Sequence, residues 1–150
     1  MLYLCLQLGS DAYLVEARRV VEVLPLVQLK QLPLAPPALA GVFQYRGQPV
    51  PLVDLSRLAL GVPARRWLST RILLLRGAGP EGRLCGLMAE QVTRTVRFAP
   101  EAFADPGTGA AAAPFLGPVV ADGTRLLQLI DVERLQLAVA GLLGATAEAA

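Results

Sequence analysis

Three serines, Ser10, Ser56 and Ser69, are the hydroxyls that could act as nucleophiles at the head of a triad or dyad. A serine attacks only when a neighbouring base takes its proton, and histidine is the commonest such base. The chain contains no histidine. That removes Ser-His-Asp and Cys-His arrangements, most zinc sites and a phosphoaccepting imidazole together. A Ser-Lys dyad would have to use Lys30, the only lysine, and no Gly-x-Ser-x-Gly elbow surrounds any serine. The two cysteines, Cys5 and Cys85, lie far apart in apolar runs with no metal-ligand spacing. They are expected to be buried free thiols in a reducing compartment. Asp54 and Asp131 lack a visible base or metal partner, so both read as structural. A binding role without cofactor, metal or catalysis is the expectation.

The elements that would carry such a role fit in one domain, or in two small lobes sharing a core. With 150 residues, 54% hydrophobic and 17% charged, the chain is too apolar to be disordered and long enough to bury a core. The net charge is only +2, and Arg18-Arg19 and Arg65-Arg66 are the sole arginine doublets. Aromatic residues make up 5%, so neither a basic stripe nor a stacking platform for nucleic acid is expected. The start, Met1-Leu2-Tyr3-Leu4-Cys5-Leu6, has no basic segment or small-residue cleavage site. No uninterrupted apolar run reaches the ~18 residues of a membrane helix. A cytoplasmic protein that does not insert into the membrane is expected.

Leu2, Leu4, Leu6 and Leu8 alternate along a half-buried strand, Gly9-Ser10-Asp11 turns the chain, and Ala12 to Val15 returns. Residues 16–24 suggest a helical turn leading into a strand at Glu22-Val23-Leu24. Pro33, Pro36 and Pro37 make a loop. Residues 41–46 and 48–54 flank a hairpin tip at Gly47. In its second arm Pro49 and Pro51 lie two apart, so the missing N–H groups share one edge and leave it unpaired. Residues 71–76, Arg-Ile-Leu-Leu-Leu-Arg, read as a strand buried on both faces, followed by a turn over 77–82. Another strand spans 125–130, and a helix with Leu135, Val139, Leu142 and Leu143 on one side spans 132–143.

The two halves repeat each other. Asp54-Leu55-Ser56-Arg57-Leu58 matches Asp131-Val132-Glu133-Arg134-Leu135. Gly41 and Gly47 match Gly117 and Gly123 with the same separation of six. Ala17-x-x-Val20 matches Ala89-x-x-Val92, so three matches fall in one order at offsets of 72 to 77. Each aspartate ends a strand and can cap the helical turn that follows, with the arginine three residues on placed to pair with it. Units of about 70 residues are marginal alone, so two would share a core. Short strands with Gly and Pro turns favour two small barrels over a doubly wound sheet.

The segment Gly41-Val42-Phe43-Gln44-Tyr45-Arg46-Gly47-Gln48-Pro49-Val50-Pro51-Leu52-Val53-Asp54-Leu55 resembles the signature of the CheW family, the coupling proteins of bacterial chemosensory arrays. Leu4-x-Leu6-x-Leu8-Gly9, Val20-Val21-Glu22-Val23, Gly86 to Val92 and Leu127-x-Leu129-Ile130-Asp131-Val132-Glu133 fit the same family in order. The resemblance implies a mainly β fold of two SH3-like five-stranded β-barrels around a shared hydrophobic core. On this chain they would fall at about 12–70 and 71–130, with strand 2–8 and helix 132–143 packed between them. It implies a non-enzymatic adaptor, monomeric when isolated and recruited to membrane receptor arrays, with no cofactor. Its partners would be the regulatory domain of a CheA-type histidine kinase and the cytoplasmic tip of a chemoreceptor. Glu22, Val23, Arg46 and Gly47 fall on the kinase-binding positions, and Val20, Leu87 and Val92 on the receptor groove. Two departures bear on partner identity: Gln44-Tyr45 replaces the family's Asn-Leu before Arg-Gly, and Ala89-Glu90 replaces Val-Asp. A small-ligand-binding β-barrel sensor is the alternative, and it would need polar groups converging in a cavity.

Overall fold

The computed structural model describes residues 1–77 and 82–149, with side chains described as far as residue 144. Nine strands and two helices follow one another: β1 (Leu2–Leu8), β2 (Asp11–Glu16), β3 (Val20–Pro25), β4 (Leu39–Tyr45), β5 (Gln48–Asp54), α1 (Leu55–Leu60), β6 (Arg71–Arg76), β7 (Leu84–Arg97), β8 (Leu116–Asp122), β9 (Arg125–Ile130) and α2 (Val132–Ala149). The helical turn expected after residue 16 is a single 3-10 turn, Ala17–Arg19, and β3 begins at Val20. Helix α2 runs on past residue 143. Residues 78–81, the middle of the expected turn at 77–82, lie outside the described residues.

The duplication is visible in the backbone pairing. Strands β3, β6, the start of β7, β5 and β4 pair in that order, with β5 parallel to β7 and the other neighbours antiparallel. The end of β7, then β1, β2, β9 and β8 repeat this order, with β9 parallel to β2. Each repeat thus uses five strands, and β7, 14 residues long, serves both. Residues 84–89 of β7 pair with β6, and residues 90–97 with β1. Gln91 has φ +47 where the strand changes partners. At the equivalent point of the other repeat the chain crosses through Ala17–Arg19 between β2 and β3.

Two expectations need correction. The mainly β class and the C-terminal helix hold, but the five-stranded groups are not two closed barrels. They join in one nine-stranded mixed sheet through β7. Within each group, among the described residues, the remaining gap is bridged by a single isolated pair, Lys30 to Val42 in the first and Ala104 to Val119 in the second. A partition at 12–70 and 71–130 also cuts across the pairing, because β2 belongs with β9 while β6 belongs with β3. The N-terminal hairpin completes the group built from the C-terminal half, because its hydrogen-bonding partners are β7 and β9.

Alternation sorts the side chains into three cores. On β6, Ile72 and Leu74 enter the first group's own core with Phe43, Val50, Leu52 and Met88. Leu73 and Leu75, pointing the other way, enter a larger cluster between the groups with Leu6, Leu8, Val53, Leu87, Ile130 and Leu135. On β1, Tyr3 and Cys5 enter the second group's own core with Leu14, Val120 and Leu127. The continuous apolar run of β6 is therefore buried on both faces, as its composition requires.

Both repeated aspartates cap helices. Asp54 accepts from the Arg57 N–H at 3.3 Å and the Ala64 N–H at 2.9 Å. Asp131 accepts from the Arg134 N–H at 3.1 Å, and its carboxylate lies 3.7 Å from the Arg134 guanidinium. The repeated glycines mark irregular pairing and tips. Register shifts fall at Gly41 in β4 and beside Gly117 in β8, while Gly47 and Gly123, at φ +81 and +65, turn the two hairpins.

Candidate functional site

The β4–β5 hairpin turns through Arg46 and Gly47, both at positive φ, +47 and +81. A two-residue hairpin loop with both central residues in this region is a type I′ turn, which suits Gly or Asn far better than Arg. An arginine held there is a local departure of the kind that marks functional sites. Its guanidinium carbon lies 5.3 Å from the centre of the Tyr45 ring. The Tyr45 hydroxyl in turn donates to the carboxylate of Glu22 on β3. That carboxylate, accepting the phenolic proton, raises the Tyr45 pKa above its ordinary value. Glu22 and Arg46, 24 positions apart in sequence, are thus joined at one exposed patch by Tyr45, a residue at which the chain departs from the family signature.

Strand β3 stands at one end of the strand order. Glu22 is opposite Leu74, on the face of the first group's own core, and Val23 is opposite Leu73, on the face of the shared core. Glu22 and Val23 therefore point to opposite sides of an edge strand. Val23 and Val21 are 41% and 46% exposed, so a partner reaching over this edge meets apolar surface on one side and the Glu22–Tyr45–Arg46 cluster on the other.

The residues expected to line a receptor groove all pack on the shared core. Leu87 is fully buried within it, and Val20 and Val92 are half-buried against it. Val20 begins β3 just after the first crossover and is paired with Leu75. Val92 follows the second, with its N–H donated to the Ser69 carbonyl. Leu87 and Leu75 also line an open apolar groove of about 1130 Å³. One wall of the groove is the start of β5, where Pro49 and Pro51 pair with β4 alone, and the opposite wall is α2, through Leu135 and Val139. The unpaired outer edge expected from the two prolines faces this groove. Val20 and Val92 do not line it.

Cys85 also lines the groove, and burial pushes its thiol up to about 11. Burial disfavours the thiolate, so at pH 8 almost all of this side chain is unreactive. Cys5 is buried. A thiol titration with DTNB at pH 8 is expected to label neither cysteine rapidly in the folded protein and both in denaturant. Rapid modification of Cys85 in the native protein at that pH, with Cys5 unlabelled, would show that the groove thiol is accessible and its pKa unshifted.

Glu90, the other departure, is buried at 4% exposure in β7. It is satisfied by the Trp67 indole N–H at 3.0 Å and the Arg65 guanidinium at 3.3 Å, and Arg65 also lies over the Trp67 ring. A longer acid than aspartate thus ties the loop between α1 and β6 to the crossing strand. Among the described residues no group of three or more acids and cysteines is placed to hold a metal ion, and no helix is long and apolar enough to cross a membrane.

Residues 2–138 match the CheW-like domain. The chain belongs to the CheW-like family. Among solved structures, the scaffolding protein TtCheW from Thermoanaerobacter tengcongensis shares its fold at a TM-score of 0.76 and 18% identity, over 86% of this chain and 82% of that one. A search of curated proteins returns no match. On this CheW-like chain the hairpin signature Tyr45-Arg46-Gly47 and the Val20-to-Val23 segment lie together in space through the Tyr45–Glu22 bond. The signature alone does not reveal that adjacency. The groove beneath α2 was equally hidden, since it needs the helix placed over β5 and β7, and only the paired prolines hinted at it.

Proposed function

We propose that the protein is a non-enzymatic coupling adaptor that links a chemoreceptor to a CheA-type histidine kinase in a chemosensory array. Membership of the CheW-like family across residues 2–138 is the observation that carries this reading. In it the protein works in the cytoplasm, is recruited to receptor arrays at the membrane, and is monomeric when isolated. The kinase docks over the β3 edge and the β4–β5 hairpin, through Glu22, Val23, Arg46 and Gly47. The exposed valines supply apolar area, and the charged pair fixes the orientation. The receptor contacts Val20 on β3 and Val92 on β7, one from each strand group, while the buried Leu87 supports that surface from the core between the groups. Coupling then requires that these contacts differ between kinase-on and kinase-off states, since equal contacts would only tether.

Affinity purification of the tagged protein with its native membranes, followed by mass spectrometry, tests this. Recovery of a CheA-type kinase together with a chemoreceptor is the expected result. Recovery of neither by a folded protein would overturn it and favour the small-ligand sensor, which a thermal-shift ligand screen would then pursue. Arg46→Ala is expected to weaken kinase capture by about tenfold, the effect of losing one interface hot spot. Its unfolding midpoint should stay unchanged, because the side chain is exposed. Unchanged recovery of kinase by the variant would remove Arg46 from the interface.

A further inference from the structure

We propose that Tyr45 is the specificity-determining residue of the kinase-facing patch, acting as a positioning residue that fixes Glu22 and Arg46 as one preformed acid–base pair. This rests on the reading of that patch as the kinase side. The geometry supplies the reason. Glu22 lies on an edge strand and Arg46 on a hairpin tip, and both are exposed, so alone each would sample many rotamers. The Tyr45 hydroxyl donates to Glu22, and the Tyr45 ring carries the guanidinium of Arg46. One rigid side chain with two torsions therefore holds two flexible ones, and ordering them before contact removes a cost otherwise met on binding. Tyr45 is itself held, since its ring packs at the margin of the Phe43–Val50–Leu52 core.

The partner that fits such a patch is one of reciprocal charge. It presents a cation to the Glu22 carboxylate and a carboxylate to the Arg46 guanidinium, at the separation that the tyrosine sets. Leucine, the residue of the family signature that this chain resembles, can neither donate to Glu22 nor offer a π face to Arg46. A kinase matched to a leucine-bearing coupler meets an unfixed pair, and the kinase matched to this chain meets a fixed one. Discrimination then comes from order as much as from attraction.

The test is a set of binding measurements on the full chain, using the full-length CheA-type kinase recovered with the wild-type protein. A second kinase, whose own coupler carries leucine at this position, serves as comparison. Tyr45→Phe keeps the ring and removes only the hydroxyl, and it is expected to weaken binding of the native kinase by roughly fivefold, in the range of a partly exposed charged hydrogen bond. Glu22→Ala should weaken it further, since it also removes the carboxylate that meets the partner's cation, and the double variant should be scarcely worse than Glu22→Ala alone, because without that carboxylate the hydroxyl has nothing left to hold. Tyr45→Leu should lose affinity for the native kinase and gain relative affinity for the comparison kinase, a selectivity shift that a merely structural role would not produce. If Glu22→Ala and Arg46→Ala weaken binding but Tyr45→Phe equals wild type and the double variant is additive, the positioning role fails while the kinase face stands. If Glu22→Ala and Arg46→Ala also bind as wild type, the kinase face itself is misplaced.

Discussion

Gly41→Ala is expected to destabilise the protein by about 3 kcal/mol, from overpacking and backbone strain together. Gly41 has φ +153, a conformation that side chains rarely adopt. An added Cβ would stand 2.6 Å from the Lys30 carbonyl oxygen and 3.2 Å from the Leu29 Cβ. The oxygen cannot step aside freely, because it accepts the Val42 N–H at 3.0 Å while the Lys30 N–H donates to Val42 at 2.8 Å. Relief of the clash breaks the bridge that joins the segment after β3 to β4. Gly117, its repeat partner, provides the control: there the added Cβ would lie 3.1 Å from the Leu129 oxygen, and its φ is not in the positive region. Gly117→Ala should cost about 1 kcal/mol, the low end for one tight contact. Urea unfolding of both variants measures the difference. Equal midpoints would show that the clash at Gly41 relaxes to the cost of one ordinary tight contact.

Leu73→Ala and Leu74→Ala form the second test. Both leucines are fully buried neighbours on β6, and they face different cores. Each truncation is expected to cost roughly 3–4 kcal/mol, the range for a buried leucine whose cavity only partly collapses. The two should lower the same single transition with the same denaturant dependence. The shared strand β7 and the core between the groups leave neither group able to melt alone. A biphasic transition in Leu74→Ala, with Leu73→Ala still two-state, would show instead that the first group opens independently.

Much of this architecture was legible because local signals and the duplication agreed. The alternation of Leu2 to Leu8, the double-sided burial of β6 and the paired aspartate caps each follow from a rule acting over a few residues. What escaped is non-local. Within residues 84–97 only the match of Ala89-x-x-Val92 to Ala17-x-x-Val20 marks where the strand changes partners, and the bend point itself carries Gln91 rather than a glycine. Nothing in β1 or β2 says that their partners lie near the other end of the chain. The bounds at 12–70 and 71–130 cut across the pairing for that reason. At the site, the Arg-Gly turn was legible from its type, but the Tyr45–Glu22 bond depends on where β3 lies beside the hairpin, which periodicity does not encode.

The placement of the N-terminal hairpin also sets a schedule for the ribosome. β1 and β2 leave the exit tunnel before the other seven strands, yet their partners are the end of β7 and β9, made about 80 to 115 residues later. The group from β3 to the first part of β7 is contiguous, so it can assemble while synthesis continues. Until β9 emerges, an apolar hairpin bearing Leu4, Leu6 and Leu8 has no native partner on its β9 side and must stay out of wrong pairings. The earliest made of these nine strands are among the last to be completed, so the nascent chain is exposed to misassembly for longer than its size alone would suggest.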